Sequence, residues 1–196
     1  MDGNSTPKTK RGAQRREQIL RAAEEAFGAQ GFSATSIADI TRKAGTALGT
    51  FYIYFASKEE VFRELVLEMG QLTREAVTKS VADAPDRMSA ERAGLRSFLE
   101  FVAKRPSLYS IVEEARFVDP EAYRVYFTRF AKAYEKRLLA AEQAGEVKLG
   151  DAEVRAWALM GMAKTLGERY VLWEDTPDID YVVDEVMLLV GRGLLP

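Results

Sequence analysis

The sequence predicts an all-α chain of about nine helices, with a small N-terminal headpiece and a larger C-terminal part. Three observations predict it. Apolar residues recur at spacings of three and four through most of the 196 residues, and no stretch alternates with the period of two that a half-buried strand needs. Helix breakers and starters punctuate the chain, among them Gly31, Gly45, Pro85, Pro106, Pro120 and Gly145. Residues 35–58 read TSIADITRKAGTALGTFYIYFASK, two short helices joined by a bend that contains Gly45.

Taken in order, residues 1–12 are polar and basic without periodicity, so they read as a disordered arm. A first helix is expected from about Ala13 to Gln30, since Ile19, Ala22, Ala23, Ala26 and Phe27 form one face and Gly31 follows as a stop. Phe32 then packs back on that face. In the second helix Ile37, Ile40 and Ala44 share a side, with Thr35 or Ser36 as N-cap. The third helix runs from about Ala47 to Phe55. The headpiece is therefore assigned to residues 13–57, and 58–196 form the second domain. There, helices are expected from Lys58 for ~25 residues, from Ser89 to Lys104, and from Pro106 to Phe117. Asp119-Pro120-Glu121 is an N-cap, a first-turn proline and an acidic first turn for a seventh helix reaching Ala144. An eighth begins at Asp151 and runs to about Trp173, and a ninth spans Ile179 to Gly191.

The third helix can be sorted by its own geometry. At about 100° per residue, Leu48, Phe51 and Phe55 fall on one face, which is expected to pack inward. Gly49, Thr50 and Ile53 point the other way, with Tyr52 and Tyr54 on the flanks. A threonine can meet a base edge or a phosphate, and its methyl can meet a thymine methyl. Tyrosines on the flanks suit phosphates, which position rather than specify. Lys58 opens the next helix, where free N–H groups and an ammonium attract an anion. A helix-turn-helix whose second helix enters the DNA major groove is the reading these residues support; the alternative is an ordinary aromatic helical hairpin.

The run AGTALGTFYIYFASKEEVF resembles the tetracycline-repressor (TetR/AcrR) family of bacterial regulators, which commonly reads AGVSKGTLYHYFxSKEEL here. The likeness covers about Arg15 to Leu65; beyond that, only length and helical pattern agree. It implies that Ser36, Arg42, Thr46 and Leu48 join Gly49, Thr50, Tyr52, Ile53, Tyr54 and Lys58 as candidates for DNA contact. Four positions depart from the pattern. Ala47 replaces a capping Ser, which puts Thr46 forward as the cap. Leu48 stands where a polar or basic residue is frequent, and Ile53 where a His is frequent. Ala38 stands where an Arg often reaches DNA, with Arg42 one turn later as a substitute. Base readout is therefore expected to be more apolar and weaker.

Composition narrows the function classes. With 47% hydrophobic and 30% charged residues, the chain is an ordinary globular protein. It has no Cys and no His, which removes disulfides, thiol chemistry and most metal and His-based catalysis. No metal or cofactor is expected. No apolar run reaches the ~18 residues of a membrane span, and the N-terminus is no signal peptide, so a cytoplasmic location without membrane contact is expected. Residues 1–60 carry nine Lys/Arg against seven Asp/Glu, while 61–196 carry nineteen against twenty-three. Lys8, Lys10, Arg11, Arg15 and Arg16 lie within the first sixteen residues, facing one acid, Asp2. Such an arm fits contact with the DNA backbone, or equally a solubilising tail.

In the larger part, Trp157, Met160, Gly161, Lys164 and Gly167 share one side of the eighth helix. Val183, Val186, Met187 and Val190 form an apolar stripe on the ninth. By pattern these faces suit either a two-fold dimer or intramolecular core. The family resemblance implies the dimer. It also implies a small-molecule effector bound among helices five to eight, which are rich in aromatics. Candidate lining residues are Phe98, Tyr109, Phe117, Tyr123, Phe127 and Met160, with Glu113, Arg116 and Arg169 to orient a ligand. Plain core is the competing reading of that stripe. The whole reads as a homodimeric DNA-binding transcriptional regulator, expected to repress at a palindromic operator and to be released by an apolar or amphipathic ligand. Two rivals are an enzyme and an effector-independent nucleoid- or division-associated DNA-binding protein. Catalysis lacks support: the acids fall in no metal-spaced cluster, phosphate loop or nucleophile motif.

Overall fold

A computed structural model describes residues 9–194, all helix and connecting turn. The helices are α1 (Lys10–Ala34), α2 (Ile37–Lys43), α3 (Leu48–Tyr54), α4 (Lys58–Ser80), α5 (Arg87–Lys104), α6 (Pro106–Val118), α7 (Pro120–Gln143), α8 (Ala152–Gly167) and α9 (Ile179–Leu194). A π-helical turn, Glu168–Leu172, continues α8. Most of the expected arm, residues 1–8, lies outside the described residues. Lys10, Arg11 and Gly12, expected to be disordered, are helical instead: Thr9 caps α1 by accepting the Gly12 N–H at 3.1 Å. No described helix is long and apolar enough to cross a membrane.

Contacts divide the chain into two units, and the division is not the one expected at residue 57. The first unit is the described part of Met1–Met69 together with Pro106–Val125. Helix α6 belongs with the headpiece because it packs along α1, so closely that a Cβ on Gly28 would collide with Ser107. The core of this unit contains Ile19, Phe27, Ile40, Phe51, Phe55, Phe62 and Ile111, all nearly inaccessible. Phe27, Phe32 and Phe62 meet with ring centroids 5.0–5.6 Å apart, as Phe32 packs back onto the first-helix face. Gly31 breaks α1 at φ 79° rather than ending it, and a last turn continues to Ala34.

The second unit comprises Gly70–Arg105 and the described part of Tyr126–Pro196. Helix α5 packs on α8, α9 and the π-helical turn. Gly167 is buried, and a Cβ there would lie 3.5 Å from Phe98 and 3.6 Å from Leu99. Its smallness therefore serves packing on α5 within the chain, not an outer face. Val183 and Val190 are likewise core, Val190 clustering with Ala141, Val147 and Leu194. Met160 is also buried. The exposed residues of α8 include Val154, Trp157 and Gly161, and those of α9 include Tyr181, Leu188 and Leu189 beside Asp180, Asp184 and Glu185. The apolar outer face of α9 is thus a different stripe from the one read in the sequence.

Candidate nucleic-acid interface

The helix-turn-helix is built by local rules. Ser36 caps α2 through a reciprocal capping box: its hydroxyl accepts the Asp39 N–H at 3.1 Å, and the Asp39 carboxylate accepts the Ser36 N–H at 3.0 Å. Hydrogen bonds from Ser36, then from Arg42, hold the Asp39 carboxyl below its usual value. Arg42 and Lys43 occupy the last turn of α2, the favourable end for cations. Gly45 at φ 59° makes the left-handed step that turns the chain. Ala47 is the N-cap of α3 and offers no side-chain bond, and Thr46 does not replace it as cap. The cause is register: α3 begins at Leu48, so Thr46 lies one residue outside the capping position.

Phe51 and Phe55 anchor α3 in the core at 5.7 Å between ring centroids. Leu48, expected beside them, is 51% exposed because it stands at the helix start, beyond the edge of the core. The outward face therefore carries Leu48, Gly49, Tyr52 and Ile53, with Ile53 64% exposed. A Cβ on Gly49 would meet nothing within 4 Å. The Tyr52 ring stands edge-on to Phe51 at 5.5 Å, which orients it outward.

Beside this face lies a cleft of about 340 Å³ between the start of α1 and α3, lined by Thr9, Arg11, Gly12, Arg15, Thr46, Thr50 and Tyr54. It gathers two guanidinium groups and four hydroxyl-bearing residues between the two helices. Arg15 donates to Gln18 at 2.9 Å, and no ion pair joins Arg11 or Arg15 to an acid among the described residues. Arginines so placed suit phosphate oxygens. Arg11 and Arg15 were visible in the sequence only as members of a basic arm. Nothing in their spacing announces that the start of α1 stands against α3.

Two other cations are committed inside the unit. The Lys58 ammonium donates to the backbone carbonyls of Phe32 and Thr35, each at 2.7 Å, and lies 4.1 Å from the Phe32 ring centroid. Those carbonyls compete with a phosphate for the ammonium, the contact expected of Lys58 from the sequence. Arg16 makes a bidentate pair with Glu64 and lies over the Phe55 ring at 4.7 Å, which takes it out of the basic arm. Arg42, by contrast, is exposed and paired only locally with Asp39.

The side chains named for a ligand are distributed over both units. Tyr109, Glu113, Arg116, Phe117 and Tyr123 belong to the first; Phe98, Phe127, Met160 and Arg169 belong to the second. Phe117 is 81% exposed on the last turn of α6, and Arg116 beside it is exposed too. Arg169 lies at the surface and pairs with Glu174 at 2.5 Å. As described, these three line no interior, because the final turns of their helices run into solvent. Tyr109 and Met160 are buried, and Phe98, Glu113, Tyr123 and Phe127 are half-buried. Of the proposed dimer residues, Trp157 and Gly161 face outward and Lys164 and Met187 are half-buried.

Comparison with known proteins agrees with this architecture. Residues 19–65 match the family model described as bacterial regulatory proteins, tetR family. Over 191 residues the chain is 27% identical to the uncharacterized HTH-type transcriptional regulator YdgC of Bacillus subtilis, covering 95% of each protein. The fatty acid degradation regulator FadR of Bacillus halodurans has the same fold, with TM-score 0.81 and 19% identity over 94% of this chain and 96% of that one. FadR of Bacillus subtilis, solved in complex with stearoyl-CoA, matches at TM-score 0.78 and 21% identity, covering 88% and 96%.

Proposed function

We propose that this chain, whose residues 19–65 match the tetR family model, is a DNA-binding regulator of that family and acts as a homodimeric repressor released from a palindromic operator by an apolar or amphipathic small molecule. The observation that carries the reading is the outward face of α3, with Leu48, Gly49, Tyr52 and Ile53 exposed beside a cleft holding Arg11 and Arg15. Such a helix fits a major groove, the cleft fits a flanking phosphate, and Thr50 and Tyr54 stand between the two. Ser36 and Arg42 at the ends of α2 and Thr46 before α3 complete the proposed contact set.

The dimer reading draws on the apolar outer faces of α8 and α9, where Trp157, Tyr181, Leu188 and Leu189 stay exposed in one chain. Two copies joined there through a four-helix arrangement would present two α3 helices to successive grooves, ~34–36 Å apart. A ligand that prefers a conformation with the wrong spacing draws the population from DNA, by no more than its differential affinity.

The effector class rests on the aromatic content of α5 to α8 and on the stearoyl-CoA held by FadR of Bacillus subtilis. Acyl thioesters and hydrophobic acids are therefore the first ligands to test. A thermal-shift screen followed by release of a fluorescent operator decides. The reading expects one set of compounds to do both at similar concentrations, since the two effects share one binding event. Compounds that raise the melting temperature and leave DNA affinity untouched would favour the effector-independent rival.

A further inference from the structure

The chemistry available on α3 restricts which bases it can read, an inference that rests on the DNA-binding reading above. Residues 47–55 are ALGTFYIYF and contain no Arg, Lys, Asn, Gln, Asp or Glu. The bidentate pairs that recognise guanine or adenine in the major groove need such side chains. The helix therefore has no group for the commonest form of direct purine readout. Its hydroxyls are Thr50, Tyr52 and Tyr54, and two of these, Thr50 and Tyr54, line the cleft with Arg11 and Arg15. In that reading this flank faces phosphate.

What remains is apolar. Leu48 is 51% exposed and Ile53 64% exposed, although the same short helix fully buries Phe51. Gly49 lies next to Leu48 in the chain, and a Cβ on it would have open space. Nothing within the described chain requires a glycine there, whereas a groove floor that must approach the backbone does. The one strongly apolar feature of the major-groove edges is the C5 methyl of thymine. We propose that Leu48 and Ile53 read thymine methyl groups, with Gly49 letting the helix sit deep enough to reach them. Specificity of this chain is then set by the position of thymines, and little by hydrogen bonds to purines from α3.

The test uses the full-length protein and a randomised duplex library to select bound sequences. Each thymine of the selected half-site is then replaced by deoxyuridine, which removes only the methyl, and binding is read by fluorescence anisotropy. The expected result is at least one thymine per half-site whose loss weakens binding about fourfold, the value of one buried methyl group. Leu48→Ala and Ile53→Ala should each abolish the dT/dU difference at one position. Replacing a cytosine by 5-methylcytosine at an affected position, paired with guanine, should recover part of the loss. If the selected duplex is preferred over random DNA and every deoxyuridine version binds equally well, methyl readout is wrong and the regulator reading stands. If no duplex is preferred over random DNA, both fall together.

Discussion

Both carboxylate oxygens of Glu114 stand 2.9 Å from the backbone nitrogen of Phe32, so a residue of α6 accepts the N–H freed where Gly31 breaks α1. The same turn is held from the other side by Lys58, through the carbonyls of Phe32 and Thr35. Thr35 completes the clamp by donating its hydroxyl to the Gly31 carbonyl at 2.7 Å. The turn from Phe32 to Thr35, which leads into α2, is therefore held by α4 and α6 at once. Glu114→Ala should destabilise the protein by about 1 kcal/mol, the low end of the cost of a stranded donor because the Phe32 N–H is only partly buried. Glu114→Gln, which keeps one acceptor, should cost less. Chemical denaturation gives both values, and hydrogen exchange at the Phe32 amide should speed up in the Ala variant before other headpiece amides do.

Lys58 and the cleft arginines should behave differently on DNA. Arg11→Ala and Arg15→Ala should each reduce the slope of log affinity against log salt by about 0.9, the signature of one lost phosphate contact. Lys58→Met should lower the melting temperature and leave that slope unaltered, because its charge is engaged with carbonyls. A reduced slope in Lys58→Met would return that lysine to the DNA interface.

Assembly gives a third expectation. Trp157→Glu or Leu188→Glu would place a charge on the exposed apolar faces of α8 and α9, and the folded protein should sediment near the 21.9 kDa of one chain. The unaltered protein should sediment at about twice that mass. Met160→Glu is no clean probe, since Met160 is buried within the chain and the charge should unfold it.

In the second unit Arg87 and Glu91 form a buried ion pair, and the Tyr134 hydroxyl donates to the same Glu91 carboxylate. Burial, then the Glu91 charge, pushes the Tyr134 phenol well above its ordinary value. Arg87→Met leaves Glu91 desolvated and unpaired and should cost about 3–5 kcal/mol. The double change Arg87→Met with Glu91→Leu should recover much of it. Denaturant titration of the three variants reads the comparison.

Acid should weaken the first unit through Asp119. Hydrogen bonds from Arg63, with a further one from the Ala122 N–H, hold its carboxyl below the usual value. A depressed folded value means the contribution is present above the unfolded value of about 3.9 and is lost as pH falls through the folded one. The unaltered protein should thus lose stability below about pH 4 more steeply than Asp119→Asn. Because Arg63 is half exposed, added salt should shrink the difference.

What the sequence made legible was local. Capping by Ser36 and Asp119, the start of α8 at Asp151, the glycine turn at Gly45 and the inward pair Phe51 and Phe55 all follow from residue type and spacing of a few positions. What it hid was tertiary. Lys58 looks like a free cation until the chain folds Phe32 and Thr35 onto it, and Arg16 until Glu64 is beside it. Val183 and Val190 suit dimer face and core equally by pattern, because periodicity says which residues share a face, not what the face meets; the fold puts them in the core. Leu48 has the angular position of a core residue but stands past the end of the core, which only the packed headpiece reveals.

The most direct measurement is the affinity of the full-length protein for a duplex selected from a random library against that for unselected DNA, at two salt concentrations. A regulator that reads DNA through α3 and the Arg11–Arg15 cleft should bind the selected duplex at least about 10³-fold more tightly at physiological salt, with both affinities falling as salt rises. Equal affinity for the two duplexes would contradict the assignment of α3 as the reading helix.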